Sequence, residues 1–160
     1  MSILLTDAEI SVLTEETKQL DPGYLSRIQL RPKPGHKERE LDITGANGSE
    51  FRLILRQNIL NVLDFSVILA YSVQSSSQVF RLRRYNGKSH EHTNKIERQT
   101  FYDFHIHFAT ERYQQSGLRE DAYAEVTNRY GDFQGALDCL IQDCGLVLPS
   151  KTQGQLFQGV

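Results

Sequence analysis

The sequence has few of the features that mark a specialised class of protein. It contains only two cysteines, Cys139 and Cys144, which are too few for a disulfide framework. No apolar run approaches the roughly 20 residues that a membrane helix needs, and residues 1–7 lack the basic start of a secretory signal. The net charge of −2 does not point to nucleic acid or to a membrane surface. These absences predict a cytoplasmic protein that does not contact a membrane.

Several chemical motifs are missing as well. The sequence has no Cys-x-x-Cys pair, no phosphate-binding glycine loop and no dinucleotide fingerprint. Ser75-Ser-Ser77 is typical of a turn between strands and not of a nucleophile elbow. With 39% hydrophobic and 24% charged residues in a chain of 160, the composition indicates a single globular domain with a hydrophobic core. We predict this domain over residues 1–148, followed by a flexible polar tail over residues 149–160.

Hydrophobic periodicity predicts one helix, about six strands and two further helices. Thr6 and Glu9 have the spacing of a capping box, so a helix begins there and ends before Asp21. A two-residue period from residue 24 to about residue 110 then indicates strands, with the apolar run Phe65–Val73 as the central one. Phe101–Phe108 is the last and clearest of these strands.

The C-terminal part returns to helical spacing. Leu118, Ala122 and Val126 would share one helical face, and a stronger helical pattern runs from Phe133 to Cys144. Strands followed by helices are typical of an α+β fold. We therefore predict a curved, mainly antiparallel sheet with the N-terminal helix and the two C-terminal helices packed on one face and solvent on the other.

Two His-x-His pairs are the most informative chemical feature. His105 and His107 lie in the last predicted strand, where alternation places them with Asp103 on the face opposite the apolar residues. Same-face neighbours on a strand are roughly 6.6 Å apart, so two imidazoles could share a metal or a substrate. His90 and His92 form the second pair, 15 positions upstream. A solvated sheet face that happens to carry histidines is the alternative interpretation.

A basic segment precedes the first histidine pair. Residues 81–98 contain six Lys or Arg and two Glu, a local charge of +4. Alternation would place Arg81, Arg83 and Tyr85 on one strand face, with Lys88 just beyond. Basic residues interleaved with aromatic ones favour phosphate backbones, and tyrosine can stack on bases. A charged hairpin tip that keeps the chain soluble is the competing interpretation.

Together these segments favour an RNA- or nucleotide-directed protein, in its most specific form a metal-independent ribonuclease-like toxin. His105 and His107 would be the acid–base pair, because the unperturbed pKa of histidine is about 6.5. His90, His92 and Asp103 would complete the catalytic set. The side chains of Arg81, Arg83, Lys88 and Tyr85 would hold phosphate. This hypothesis needs no cofactor.

Metal binding is the competing chemistry. His90-x-His92 is followed by Glu97, and His105-x-His107 by Glu111. A strand-borne His-x-His with a trailing glutamate resembles the first metal motif of cupins, although the flanking glycines and the second histidine motif of that family are absent. Two such pairs could give a divalent metal four imidazoles, or three and a carboxylate with one open position.

Four segments resemble a family of small uncharacterised bacterial and phage proteins: Arg56-Gln-Asn58, Leu63-Asp-Phe-Ser-Val-Ile-Leu69, Arg83–Asn94 and Phe104–Tyr113. The likeness covers most of residues 50–145 and implies no activity. An arginine–aromatic strand ahead of clustered histidines also resembles the small histidine-rich toxins of toxin–antitoxin pairs. That resemblance implies RNA as the target and an antitoxin-like protein as a partner. A non-enzymatic interaction module of a phage or mobile element is the alternative function, so the sequence leaves open whether the protein is an enzyme.

Overall fold

The structure is a computed structural model and describes residues 3–150. Within that range the chain forms four helices and eleven strands. In chain order they are α1 (Asp7–Glu15), β1 (Lys18–Gln19), α2 (Tyr24–Arg27), β2 (Arg31–Lys33), β3 (His36–Thr44), β4 (Glu50–Asn58), β5 (Phe65–Ser72), β6 (Val79–Asn86), β7 (His92–Asn94), β8 (Gln99–Phe101), β9 (His105–Phe108), α3 (Glu111–Gln115), β10 (Tyr123–Val126), α4 (Phe133–Asp143) and β11 (Leu146–Val147).

Seven strands form one antiparallel sheet in the order β10-β9-β6-β5-β4-β3-β2. The predicted α+β class with a large antiparallel sheet is confirmed, and β5 lies in the middle, as its apolar run indicates. Strands β3 and β4 pair over nine residues, from His36↔Asn58 to Thr44↔Glu50, across the turn at residues 45–49. Two smaller pairs, the parallel β1–β11 and the hairpin β7–β8, lie outside this sheet.

Helices α1 and α4 cover one face of the sheet. Helix α4 begins where the carboxylate of Asp132 accepts a hydrogen bond from the backbone N–H of Gly135 at 2.8 Å. Its apolar side packs on β5 and β6, and α1 packs on β6. Alternate residues of the strands point into this layer and form the core; the fully buried ones include Phe51, Leu53, Leu55, Val67, Leu69 and Leu82.

A buried ammonium group joins the ends of the two helices. The three N–H bonds of Lys18 Nζ are shared among four carbonyls: those of Leu13 (3.0 Å), Thr14 (3.0 Å) and Glu16 (2.7 Å) at the end of α1, and that of Cys144 (2.8 Å) at the end of α4. Phe51 lies under the same group, with its ring centre 4.3 Å from Nζ. Burial lowers the pKa of Lys18 to about 8, so the group remains protonated at neutral pH. The last carbonyls of both helices thereby obtain a donor.

The predicted helix over Leu118–Val126 is wrong. Helix α3 is confined to Glu111–Gln115, and Gly117 then takes a left-handed conformation with φ +75° that ends the helical path. The chain continues as β10, which pairs with β9 from Tyr123↔Phe108 to Val126↔His105. One C-terminal helix, α4, therefore packs on the sheet where two were predicted. The four-residue spacing of small and apolar side chains was not enough to distinguish a helix from an edge strand.

Three other boundaries differ from the predictions. Helix α1 ends at Glu15, well before Asp21, because the chain next forms the parallel strand β1 beside β11. Tyr24–Arg27 is one helical turn and not the start of a strand. The single strand predicted over Phe101–Phe108 is interrupted at residues 102–104, which separate β8 from β9. This interruption lets the β7–β8 hairpin fold back over the sheet.

A register irregularity between β5 and β6 reverses the faces predicted for β6 from Arg83 onwards. Leu69 pairs with Arg83 and Ala70 pairs with Arg81, so Leu82 is an extra residue in the ladder. Beyond it, Arg84 pairs with His107 and Tyr85 pairs with Ile106. Arg84 therefore shares the face of His107, whereas Arg83 and Tyr85 lie on the face that α4 covers.

None of the helices in residues 3–150 is long and apolar enough to cross a membrane; the longest, α4, has 11 residues. Of the predicted tail, residues 151–160 lie outside the described residues, while Pro149 and Ser150 have no regular secondary structure.

Candidate metal centre

Three histidines converge on the sheet face opposite the helices. His105 and His107 are alternate residues of β9, so both side chains leave that face, as predicted. His92 begins β7 and reaches the pair from the hairpin above. The hairpin and the segment around Asp121 cover this end of the sheet, which the sequence analysis expected to be solvated. His105 is only 1% exposed and His107 only 3%.

Asn94 fixes the hairpin over the sheet. Its Oδ1 accepts a hydrogen bond from the backbone N–H of Ala124 at 2.9 Å, and its Nδ2 donates to the carbonyl of Ala124 at 2.7 Å. The side-chain amide thus pairs with β10 as the backbone of a neighbouring strand would. Since both amide atoms are assigned by these bonds, Oδ1 is also the acceptor for His92 Nε2, 2.7 Å away.

The three imidazoles are close enough to share one ion. One ring nitrogen from each lies within 4.8 Å of the other two. The ring centres are 5.4 Å apart for His92 and His105, 4.8 Å for His92 and His107, and 5.0 Å for His105 and His107. In a tetrahedral zinc site with Zn–N bonds of about 2.0–2.1 Å, the nitrogens are about 3.3 Å apart. Rotations that move each nitrogen by on the order of 1 Å would form such a site.

Neighbouring acceptors fix which nitrogen of each ring carries hydrogen. His105 Nδ1 donates to the carbonyl of Asp103 and His107 Nδ1 to the carbonyl of Asp121, both at 2.7 Å. A carbonyl can only accept, so the hydrogen is on Nδ1 and the lone pair is on Nε2 in both rings. His92 donates through Nε2 to Asn94, which leaves its lone pair on Nδ1. Outer hydrogen bonds of this kind orient histidines that bind metals.

All three rings are neutral at physiological pH. Burial is the main reason that the pKa of His105 falls to about 4 and that the pKa of His107 lies far below its ordinary range. Burial also lowers the pKa of His92. Arg84, whose Nη2 is 3.4 Å from His107 Nδ1, lowers the pKa of His107 further. Metal binding requires unprotonated imidazole, so burial keeps these rings in the form that binds.

Three buried side-chain atoms around this site have no hydrogen-bond partner within the described part of the chain, and one of them belongs to the histidine group; the others are Arg81 Nε and Asp121 Oδ1. His105 Nε2 is buried and has no hydrogen-bond partner among residues 3–150. A buried polar atom without a partner costs roughly 1–3 kcal/mol. Phe101 packs against this ring, with the centres 5.5 Å apart, and also against His92 at 5.4 Å. The apolar ring of Phe101 and the unpartnered nitrogen of His105 form an environment that a cation would complete.

A cavity of about 410 Å³ opens beside the three histidines. His92 and His107 are in its wall, together with Arg84, Lys95 and Arg119. In the part of the chain that the structure describes, no aspartate or glutamate lines it. The opening therefore leads from solvent, past permanent positive charges, to two of the three imidazoles.

Asp121 organises the charges around this cavity. Its buried Oδ2 is 2.9 Å from Arg84 Nε, and its Oδ1 is 3.5 Å from Arg119 Nη2. Arg81 is also near: its Nε is 3.7 Å from Asp121 Oδ2 and its Nη1 is 3.8 Å from Glu120 Oε2, while its backbone N–H donates to Glu120 Oε2 at 3.1 Å. The carbonyl of the same Asp121 orients His107. One residue thus positions both a metal ligand and the arginines beside it.

The structure separates the remaining predicted catalytic residues from the buried cluster. His90 is exposed on the wall of the cavity, with Nδ1 3.0 Å from Ser89 Oγ. It is not a member of the three-histidine group. The carboxylate of Asp103 is exposed and lies 3.9 Å from Lys88 Nζ, so only the backbone carbonyl of Asp103 contributes to the cluster.

The residues predicted to bind phosphate do not form one surface. Arg81 lies on the histidine face but is occupied by Glu120 and Asp121. Arg83 lies on the other face, over the ring of Phe108 at 4.7 Å and 3.9 Å from Asp143 Oδ2. Tyr85 is 0% exposed and donates to Asp143 Oδ2 at 2.6 Å. The prediction that Arg81, Arg83 and Tyr85 share one face is wrong, because the extra residue Leu82 reverses the alternation.

The two glutamates considered as metal ligands also lie elsewhere. Glu97 accepts a hydrogen bond from Tyr113 Oη at 2.6 Å and pairs with Arg112. Glu111 accepts from the backbone N–H of Asp7. Neither belongs to the histidine group.

Sequence reasoning missed Arg84, Asn94, Asp121 and Arg119. Arg84 received no role, because a regular two-residue period was assumed through the bulge and placed Arg83 and Tyr85 on the histidine face instead. Asn94 lies only two residues after His92, a spacing that could have suggested a partner for the imidazole. Asp121 and Arg119 had no distinguishing signal, because they reach the site from a segment that the helical spacing misassigned.

No protein-family model, curated protein or solved structure matches the chain. The resemblances to a bacterial and phage family and to histidine-rich toxins therefore remain predictions.

Proposed function

We propose that the protein is a divalent-metal enzyme, with Zn²⁺ as the preferred ion, that hydrolyses its substrate at the three-histidine site. The observation that carries the proposal is the convergence of three neutral imidazoles whose tautomers are fixed by outer hydrogen bonds. The ligand atoms would be His92 Nδ1, His105 Nε2 and His107 Nε2. An all-nitrogen set of borderline softness suits zinc better than magnesium or calcium.

The number of ligands favours a catalytic site. Structural zinc sites are generally closed by four protein ligands, whereas catalytic sites have three and keep the fourth position for water or substrate. Among residues 3–150 the group contains three histidines and no carboxylate or thiol. Two of the three rings are in the wall of a cavity that a substrate can enter.

The chemistry follows from the ion and from its surroundings. A zinc ion held by His92, His105 and His107 would supply a water of lowered pKa that is a nucleophile at neutral pH. Asp103, Asp121 and Asn94 would hold the three rings while the reaction proceeds. Phe101 would exclude water from one side of the site.

Metal analysis of the untagged protein tests the ligand assignment. We expect about one zinc per chain after purification in zinc-containing buffer, and a visible absorption spectrum of tetrahedral type after substitution with Co²⁺. His105→Ala and His107→Ala should each lose the ion. His36→Ala is the matched control, because His36 lies on β3 and its imidazole pairs with Glu38.

The outcome that contradicts the proposal is equally definite. A well-folded wild-type protein that takes up no zinc, cobalt, iron or manganese would exclude a metal enzyme and leave the interaction module as the better hypothesis. Zinc retained by the double variant His105→Ala/His107→Ala would show that the ion binds elsewhere.

RNA is the second candidate target, and the cations around the cavity support it. Arg84, Lys95 and Arg119 face a channel that leads to the histidines, and nucleic-acid binding relies on such groups. Metal-independent acid–base catalysis would require His105 and His107 to reach the substrate and to titrate near neutral pH. Their burial and their lowered pKa values favour metal ligation instead.

Incubation with labelled RNA, with and without EDTA, distinguishes metal-dependent cleavage of RNA from metal-independent acid–base cleavage. Cleavage that EDTA abolishes would identify RNA as a substrate of the metal site. Cleavage that survives EDTA and needs His105 and His107 would favour the acid–base nuclease. Intact RNA, together with a zinc-loaded protein, would point to a smaller substrate.

A further inference from the structure

The cavity beside the three histidines is positively charged without a matching negative wall. Arg84, Lys95 and Arg119 contribute three permanent positive charges, and the lining residues within residues 3–150 include no carboxylate. Asp121 is behind them and lies near three guanidinium groups, with Arg84 Nε at 2.9 Å, Arg119 Nη2 at 3.5 Å and Arg81 Nε at 3.7 Å. Because one carboxylate is divided among three arginines, an excess of positive charge faces the opening.

Arg84 is held by its rear atom Nε, which leaves its terminal hydrogen-bond donors towards the cavity. Arg84 contacts Asp121 through Nε, and its Nη2 lies 3.4 Å from His107 Nδ1. That Nδ1 already donates its hydrogen to the carbonyl of Asp121, so it cannot accept one from Arg84. The terminal N–H groups of Arg84 are thus available, next to a proposed metal ligand.

The partial burial of the Arg84 guanidinium favours binding of an anion. The side chain of Arg84 is only 18% exposed, and its close contact with the carboxylate of Asp121 is made through Nε alone. A phosphate or carboxylate group would receive two N–H bonds from an arginine fork. A phosphate group has further oxygens for Arg119, for Lys95 and for the ion.

We infer that this cavity is a binding site for the phosphate group of a small phosphomonoester, held by Arg84, Arg119 and Lys95 beside the three histidines. The inference deepens the proposed function, because the bound group would be the substrate of the metal site. A volume of about 410 Å³ accommodates one phosphorylated small molecule. A nucleic acid strand would extend well beyond it.

Binding of inorganic phosphate to metal-free protein tests the inference separately from the metal. We would measure it by equilibrium dialysis with radiolabelled phosphate after EDTA treatment, and repeat it with zinc. Arg119→Gln and Lys95→Gln should each weaken phosphate binding about 5–10-fold, since each removes one charge-assisted contact. Both side chains are at the surface, so these variants should fold.

Arg27→Gln is the matched control. Its side chain is 52% exposed and pairs with Asp21, much as Arg119 is 57% exposed and pairs with Asp121. We expect unchanged phosphate binding in this variant. Equal weakening in Arg27→Gln and Arg119→Gln, or no phosphate binding by the wild type, would overturn the inference.

The outcomes also separate this inference from the metal proposal. Phosphate binding that depends on Arg119 in a protein that takes up no metal would retain the anion site and refute the metal enzyme. Zinc uptake without Arg119-dependent phosphate binding would retain the metal enzyme and refute the anion site. Displacement of phosphate by a short single-stranded RNA at lower concentration than by a nucleoside monophosphate would overturn the assignment to a small phosphomonoester.

Discussion

Replacing Lys18 by methionine tests whether one buried ammonium group holds two helix ends together. The substitution keeps a long unbranched side chain and removes the donor to the carbonyls of Leu13, Thr14, Glu16 and Cys144. It also removes the cation from the ring of Phe51. Both effects should act on folding stability and not on the histidine site, which lies on the other face of the sheet.

The expected loss in the free energy of unfolding follows from these contacts. A hydrogen bond to a charged group contributes about 1.5–3 kcal/mol, and the substitution removes the three N–H donors that the four carbonyls share. Part of that loss is offset, because methionine does not have to be stripped of the hydration shell of a charge. We expect the free energy of unfolding to fall by about 3–5 kcal/mol. At 2–4 °C per kcal/mol for a chain of this size, Tm would fall by about 6–20 °C.

Urea unfolding followed by far-UV circular dichroism is the appropriate assay, because the chain contains no tryptophan. Lys33→Met, on the exposed strand β2, is the control and should change stability by less than about 0.5 kcal/mol. A loss below about 1 kcal/mol in Lys18→Met, at an unchanged m value, would refute the reasoning, because it would mean that the four carbonyls do not need the ammonium.

Four further predictions concern the three-histidine site and the buried thiol of Cys144. Zinc at 100 times its Kd should raise Tm by about 5–11 °C in calorimetry, and an equal rise in His107→Ala would contradict its assignment as a ligand. Asn94→Ala should weaken zinc binding about 10–100-fold in chelator competition, because the variant loses the partner of His92; unchanged affinity would show that the amide is dispensable. Unfolded histidine takes up a proton near pH 6.5 and folded His105 only near a pKa of about 4, so acid favours the unfolded state. In urea titrations of metal-free protein, the free energy of unfolding should therefore fall by about 3 kcal/mol more for the wild type than for His105→Gln between about pH 7 and pH 4. Parallel pH profiles for the two proteins would refute this. Burial raises the pKa of Cys144 to about 11 and leaves it 0% exposed, so a thiol reagent should label it only upon unfolding, and rapid native labelling would disagree.

The parts of the fold that were predicted correctly depend on local patterns. The capping box at Thr6 and Glu9 is present, with the bonds Glu9 N to Thr6 Oγ1 and Thr6 N to Glu9 Oε1. The apolar stripe of Phe133–Cys144 forms α4, and the long apolar run of β5 lies at the centre of the sheet. Each of these signals is contained within a few consecutive residues, so no knowledge of distant contacts is needed to interpret it.

The parts that were missed depend on distant contacts. The extra residue Leu82 is visible only in how β6 pairs with β5, yet it decides that Arg84, and not Tyr85, faces the histidines. Alternation placed His105 and His107 together but could not show that His92 would fold over them. That arrangement depends on Asn94 meeting Ala124, 30 positions away in the chain.

Asp121 connects the three histidines with the arginines of the proposed anion site. Its carbonyl holds His107, and its carboxylate holds Arg84 and Arg119. A displacement of this one residue would move a metal ligand and the anion-binding groups at the same time. Binding of the ion and of the anion would then be coupled through one residue, and thermodynamic reciprocity requires each to change the affinity of the other by the same factor.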